Sequence, residues 1–249
     1  MLRSLVVVAA LAAAALPSAL GAQSPRPAPA RPLRTLVYAV QYSATTTNEE
    51  QNSGLGAGGG AALYGSATTK RTSNVSDSGT LTANVVAASS DGGLVIETSF
   101  AGQASAQAAV PVAVYPDGRL GFAAGTPLSP EAARVLPLLA RGIVANRDVS
   151  PGSSWTVPFA APVKGAYVYR VTALDGDVAT FAIDLDMTVP GAQGFDEHGK
   201  ATAQYDTKNL CPTRLDYTGV ARHQPSMGQY VSTNAHLTAT LVSDSFAKR

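Results

Sequence analysis

The sequence predicts a mainly β protein, laid out as one antiparallel meander with a single covering α-helix near 130–144. Three observations predict it. Short stretches alternate apolar and polar side chains at period two. Turn clusters such as Ser89-Ser90-Asp91-Gly92-Gly93, Pro116-Asp117-Gly118 and Asp175-Gly176-Asp177 separate them. One segment alone carries an apolar stripe at helical spacing.

The chain opens on a different kind of segment. Arg3 precedes an apolar run from Leu5 to Leu16, broken by Pro17 and Ser18 and closed by the small residues Gly21 and Ala22. A charged start, a short apolar core and a small-residue end are the build of a signal peptide, here residues 1–22. The core is too short to span a bilayer, which takes about 20 apolar residues. An exported chain, periplasmic or secreted, is expected. A lipid anchor needs cysteine as the first mature residue, and Gln23 stands there. Residues 23–33 (QSPRPAPARPL) hold four prolines and read as a stiff linker. A single β domain is expected over 34–244.

Within that domain, 34–43 (RTLVYAVQYS) reads as a first strand, and 48–60 (NEEQNSGLGAGGG) as a Gly-rich break. The glycines are not followed by a helix and a distant acid, so a dinucleotide site is not expected. Residues 79–88 place Leu81, Ala83, Val85 and Ala87 on one face. Residues 94–100 place Leu94, Ile96 and Phe100 together, with Glu97 and Ser99 opposite. Val110–Tyr115 and Arg119–Phe122 form a second hairpin about Pro116-Asp117-Gly118.

The helix begins with Ser129 as cap, Pro130 in the first turn and Glu131 near the positive end of the dipole. Ala132, Val135, Leu136, Leu139 and Ile143 form its stripe, and Pro137 is expected to kink or shorten it. Strands then resume at Ser153–Val157, 166–174 and 178–189. In the last of these Phe181, Ile183, Leu185 and Met187 face one way, and Ala182, Asp184, Asp186 and Thr188 the other. A loop is expected over 190–199, then strands at 200–207, 213–222 and 228–243.

Composition narrows the function. Of 18 basic side chains Arg3 lies in the leader, which leaves 17 against 17 acidic ones. That balance argues against a nucleic-acid partner. Charged residues make up 14% of the chain, well under the usual share of about 25%. The one cysteine, Cys211, excludes an intrachain disulfide.

Candidates for chemistry each have a plainer reading. Asp184 and Asp186 sit roughly 7 Å apart on one strand face, within reach of acid–base or calcium chemistry, but read better as a solvated face. Asp196, Glu197 and His198 are adjacent and do not converge easily on one ion. His223 and His236 lack metal-ligand spacing. Cys211 has no evident base beside it and reads as a buried filler or free thiol. Gly152-Ser153-Ser154-Trp155 is not a nucleophile elbow, since G-x-S-x-G is absent. No enzyme, metal or cofactor is expected.

The apolar faces remain. Tyr167, Tyr169, Phe181, Ile183, Leu185 and Met187 line one hairpin face, and Leu94, Ile96 and Phe100 another. Under the helix residues Leu136, Leu139 and Ile143 they form either a closed core or the wall of an apolar cavity. A leader, a long meander, one interrupting helix and then PGSSWTV at 151–157 opening further strands resemble the periplasmic lipoprotein-carrier half-barrels and related exported bacterial proteins. The resemblance covers 34–244 in layout. It implies a large curved sheet, a half-barrel or open barrel, whose concave face takes a lipid or other apolar small molecule. The alternative is a non-enzymatic structural or interaction module of the cell envelope.

Overall fold

The computed structural model describes residues 31–52, 67–90, 92–123, 128–145, 147–159, 161, 163–191 and 194–246. The leader at 1–22, the linker up to residue 30 and the Gly-rich residues 53–60 lie outside them.

Eleven strands form one antiparallel sheet in the order β5-β4-β3-β2-β1-β11-β10-β9-β8-β7-β6. They are β1 Arg34–Asn52, β2 Ala67–Ala88, β3 Leu94–Gly102, β4 Ala106–Val114, β5 Leu120–Gly121, β6 Ser154–Pro158, β7 Lys164–Asp175, β8 Val178–Val189, β9 Phe195–Asp206, β10 Cys211–Ser226 and β11 Gln229–Asp244. The chain starts at the centre, steps outward to the edge strand β5, crosses to the opposite edge at β6 and steps back in. Its first and last strands pair with each other, from Leu36↔Asp244 to Glu50↔Gln229. The two edges do not pair, so the sheet is open.

The crossing segment carries the cover. Helix α1 spans Pro130–Val135, with the Ser129 hydroxyl accepting from the Ala132 amide at 3.2 Å. It ends two residues before Pro137, whose ring excludes a continuing helix. Two 3-10 turns, Leu136–Leu139 and Arg141–Ile143, carry the segment on. The expected helix near 130–144 is therefore one and a half α turns followed by tighter ones. Ala132, Val135, Leu136, Leu139 and Ile143 are all buried. The cover packs against β4, β10 and β11.

Alternation works as expected in β8, where Phe181, Ile183, Leu185 and Met187 are buried and Asp184, Asp186 and Thr188 exposed. Ala87 departs from its expected face: a register shift between Val85 and Ala87 turns it outward, and it is exposed. Several strands run further than their sequences suggested, and β2 begins at Ala67, well before 79. Residues 48–52 continue β1, and 195–199 open β9 rather than ending a loop.

An ion pair closes the central seam at one end. Arg34 at the start of β1 donates from Nε and Nη2 to the two carboxylate oxygens of Asp244 at the end of β11, at 3.0 and 2.7 Å. Its Nη1 donates to the carbonyl of Asn209 at 2.7 Å.

Candidate functional site

The twelve apolar positions singled out from the sequence fall on the inner face of the sheet and on the cover. Leu94 and Tyr167 are half-buried; Ile96, Phe100, Leu136, Leu139, Ile143, Tyr169, Phe181, Ile183, Leu185 and Met187 are buried. All belong to, or pack against, one apolar cluster. Its densest part is aromatic. Trp155 stacks on Tyr169 at 5.8 Å between ring centroids, and Phe181 meets Trp155 edge-on at 5.7 Å and Tyr205 at 5.8 Å. These rings come from β6, β7, β8 and β9, held together by register pairs such as Trp155↔Tyr169.

The space between cover and strands is small. A cavity of about 30 Å³ lies between Pro137 and Leu138 of the cover and Tyr167, Leu185 and Tyr217 of the sheet. That volume takes about one or two waters, not an acyl chain. Among the described residues, the cover and these strands leave no more room than that where they meet.

One polar cluster is built into it. Glu197, the middle residue of the Asp196-Glu197-His198 run, points inward and is 2% exposed. Its Oε1 accepts from Arg134 of the cover and from the Tyr217 hydroxyl. The Arg134 guanidinium also lies over the Tyr217 ring, 4.9 Å from its centroid. Burial opposes charge on Arg134, but the adjacent Glu197 carboxylate outweighs it and keeps the guanidinium firmly protonated. Burial raises the Tyr217 hydroxyl above the usual phenol range, so it donates rather than ionises. The Tyr217 side chain lies across Gly199 and Gly219, where a Cβ would come within 2.6 Å of the ring and 2.0 Å of the hydroxyl oxygen respectively. Only glycine admits the ring at these two positions.

Asp196 and His198, on either side of Glu197, point the other way. His198 Nδ1 sits 3.2 Å from Asp186, and His236 Nε2 sits 3.1 Å from Asp216. Asp184 stands in register with Lys200. The Asp184–Asp186 pair thus faces solvent, and each carboxylate has its own cationic or imidazole neighbour. His223 is half-buried on β10 opposite Val231. Cys211 is buried, and that burial pushes its thiol up to about 11. Among the described residues, no group of three or more His, Cys, Asp or Glu side chains is placed to hold a metal ion.

The feature that sequence reasoning missed is on the outer face. An open trench of about 800 Å³ crosses the strands there. One wall is a single register row: Asp184, Lys200, Thr218, His236, Ser43 and Ser76. The other is the row two residues further along: His198, Val220, Asn234, Thr45 and Asn74. Between them run Leu185, Gly199, Gly219, Ala235, Ala44 and Val75, whose side chains point inward and whose backbone forms the floor. A second hollow of about 520 Å³ continues it past Ser43, Ser76 and His236 to Gln103 and Ala104 in the β3–β4 turn.

No protein-family model matches the chain, and no curated protein matches its sequence.

Proposed function

We propose that the protein is an exported, non-enzymatic binding module of the cell envelope that engages its target through the outer trench. The trench carries the reading: it is an open concavity of about 800 Å³ on the outer face, and exposed polar side chains line it. Ser43, His236 and Asp216 have the residue types of a hydrolytic triad. They sit mid-sheet, however, between β2 and β10, where backbone amides are committed to strand pairing. That leaves no pair of free amides to stabilise an oxyanion, which favours binding over catalysis. The leader and the Pro-rich linker support export.

The test is co-sedimentation of the mature protein with envelope fragments from its own host. Wild type should sediment with them, while Asn234→Trp and Thr45→Trp, which fill the trench from its wall, should stay in solution. Equal sedimentation of all three proteins would refute the reading.

A second reading places an apolar ligand, lipid or otherwise, under the cover. It is favoured by the apolar stripe that the cover lays on the inner face and by the Tyr38 and Tyr205 hydroxyls, buried without a hydrogen-bonding partner among the described residues. Such a ligand requires the 130–143 segment to lift. Native mass spectrometry of protein from its own host tests this: a near-stoichiometric lipid supports it, and empty protein counts against it.

A further inference from the structure

The trench has a definite length, charge and chemistry, and these select a ligand class. It crosses six strands, β8 to β2 in sheet order. Strands spaced about 4.8 Å apart give it a span of roughly 24 Å. It runs across the strands and is open along its length, so it suits a linear molecule rather than a compact one.

Its charges cancel. Asp184 and Lys200 are register partners, and the two histidines lie against Asp186 and Asp216. The rest of the lining is uncharged: hydroxyls from Ser43, Thr45, Ser76 and Thr218, and carboxamides from Asn74 and Asn234. Two of these groups are already aligned, with the Thr45 hydroxyl donating to Asn74 Oδ1 at 2.8 Å. A polyanion or polycation would find no complementary field here.

The backbone narrows the choice further. An extended polypeptide is recognised along its main chain by a free strand edge. The trench lies in the middle of the sheet, where the main chain is paired on both sides. Recognition must come from side-chain hydroxyls and carboxamides, which match a ligand dense in hydroxyl and acetamido groups. Small apolar surface from Val220 is available for methyl and ring C–H groups.

We infer that the trench binds a neutral glycan chain, laid across the strands. This rests on the outer-face reading above. Without an aromatic stacking platform in the two walls, each sugar contributes weakly, and affinity must accumulate along the chain.

The test uses chitohexaose and cellohexaose as probes on the ¹⁵N-labelled mature protein. Amide shifts should cluster at 43–45, 74–76, 198–200, 218–220 and 234–236. Affinity should rise at least about tenfold from disaccharide to hexasaccharide. Asn234→Trp should abolish the shifts while the inner-face variant Ile183→Val retains them. Absence of shifts with both hexasaccharides at millimolar concentration overturns the glycan assignment, as does binding with no length dependence. Protease treatment of the envelope fragments that removes binding, where glycosidase treatment does not, overturns it in favour of a protein target. If envelope binding still depends on the trench in those cases, the module reading survives. If envelope binding ignores the trench variants, both fall.

Discussion

The guanidinium of Arg134, on the short α-turn of the cover, pairs with the carboxylate of Glu197 on β9, 63 residues away in sequence. No strand pairing holds the cover to the sheet; this ion pair, the apolar stripe and the Ser129 amide donating to Gln107 Oε1 on β4 fasten it. Glu197→Gln leaves a half-buried guanidinium without its counter-charge and should cost about 1–3 kcal/mol. The double variant Arg134→Met/Glu197→Leu should recover most of that loss, because apolar groups of similar size often replace a buried pair at little cost. Urea denaturation of wild type, Arg134→Met, Glu197→Leu and the double variant completes the cycle. A single variant as stable as wild type would mean that the cover is held by its apolar contacts alone.

The Arg34–Asp244 pair predicts acid sensitivity. Burial opposes ionisation of Asp244, but the hydrogen bonds from Arg34 and from the Phe246 amide outweigh it and hold the carboxyl below the usual carboxylate range. A depressed folded-state pKa contributes stability that is complete above the unfolded value, about 3.9, and is lost as pH falls through the folded one. Stability should therefore decline below about pH 4, and Asp244→Asn should flatten that decline while lowering stability at neutral pH. Thermal melts of both proteins from pH 7 to pH 2 measure the difference. Parallel curves would remove Asp244 from the account.

Cys211 should behave as an internal reporter of unfolding. The thiol is 1% exposed, and its raised pKa keeps it protonated at neutral pH. Iodoacetamide should modify it at the rate of global opening and, in denaturant, at the rate of a free thiol. The mass shift over time reads this directly. Rapid labelling of the native protein would place the start of β10 in a locally open segment.

Phe181 tests whether the interior is a core. It is fully buried against Trp155, Tyr169 and Tyr205. Phe181→Ala should cost about 3–5 kcal/mol, and Phe181→Asp should prevent folding. A folded Phe181→Asp protein that fails only in taking up an apolar ligand would identify the inner face as a cavity wall.

The sequence was most legible where strand chemistry and turn chemistry agreed. The β7–β8 hairpin has Asp175-Gly176-Asp177 between two alternating strands, and the structure pairs Asp175 with Val178 across that turn. The helix start at Ser129 and its shortening at Pro137 were equally readable, because a cap and a proline act locally. What escaped were strands polar on both faces. Residues 44–52 and 67–78 are rich in Thr, Ser and Asn and carry little alternation, yet they pair along their whole length from Ala44↔Val75 to Asn52↔Ala67. Glu197 escaped for a related reason. In an acidic run it resembles a loop residue, and only its register opposite Met187 and Ala221 reveals that it points inward. The trench joins residues from six strands, and no local pattern encodes that neighbourhood.

The pairing of β1 with β11 also fixes an order of events. Arg34 and Asp244 are 210 positions apart, and the strands they begin and end form the middle of the sheet. Each arm, β1 to β5 and β6 to β11, is a run of neighbouring hairpins that can form from local contacts alone. The seam between them cannot form until the final strand has emerged. A chain threaded through a membrane from its N-terminus would leave β1 with a bare edge throughout its passage, a template for unwanted pairing. The polar Thr, Ser and Asn side chains that fill the far half of β1 keep that waiting edge free of sticky apolar surface until its partner arrives.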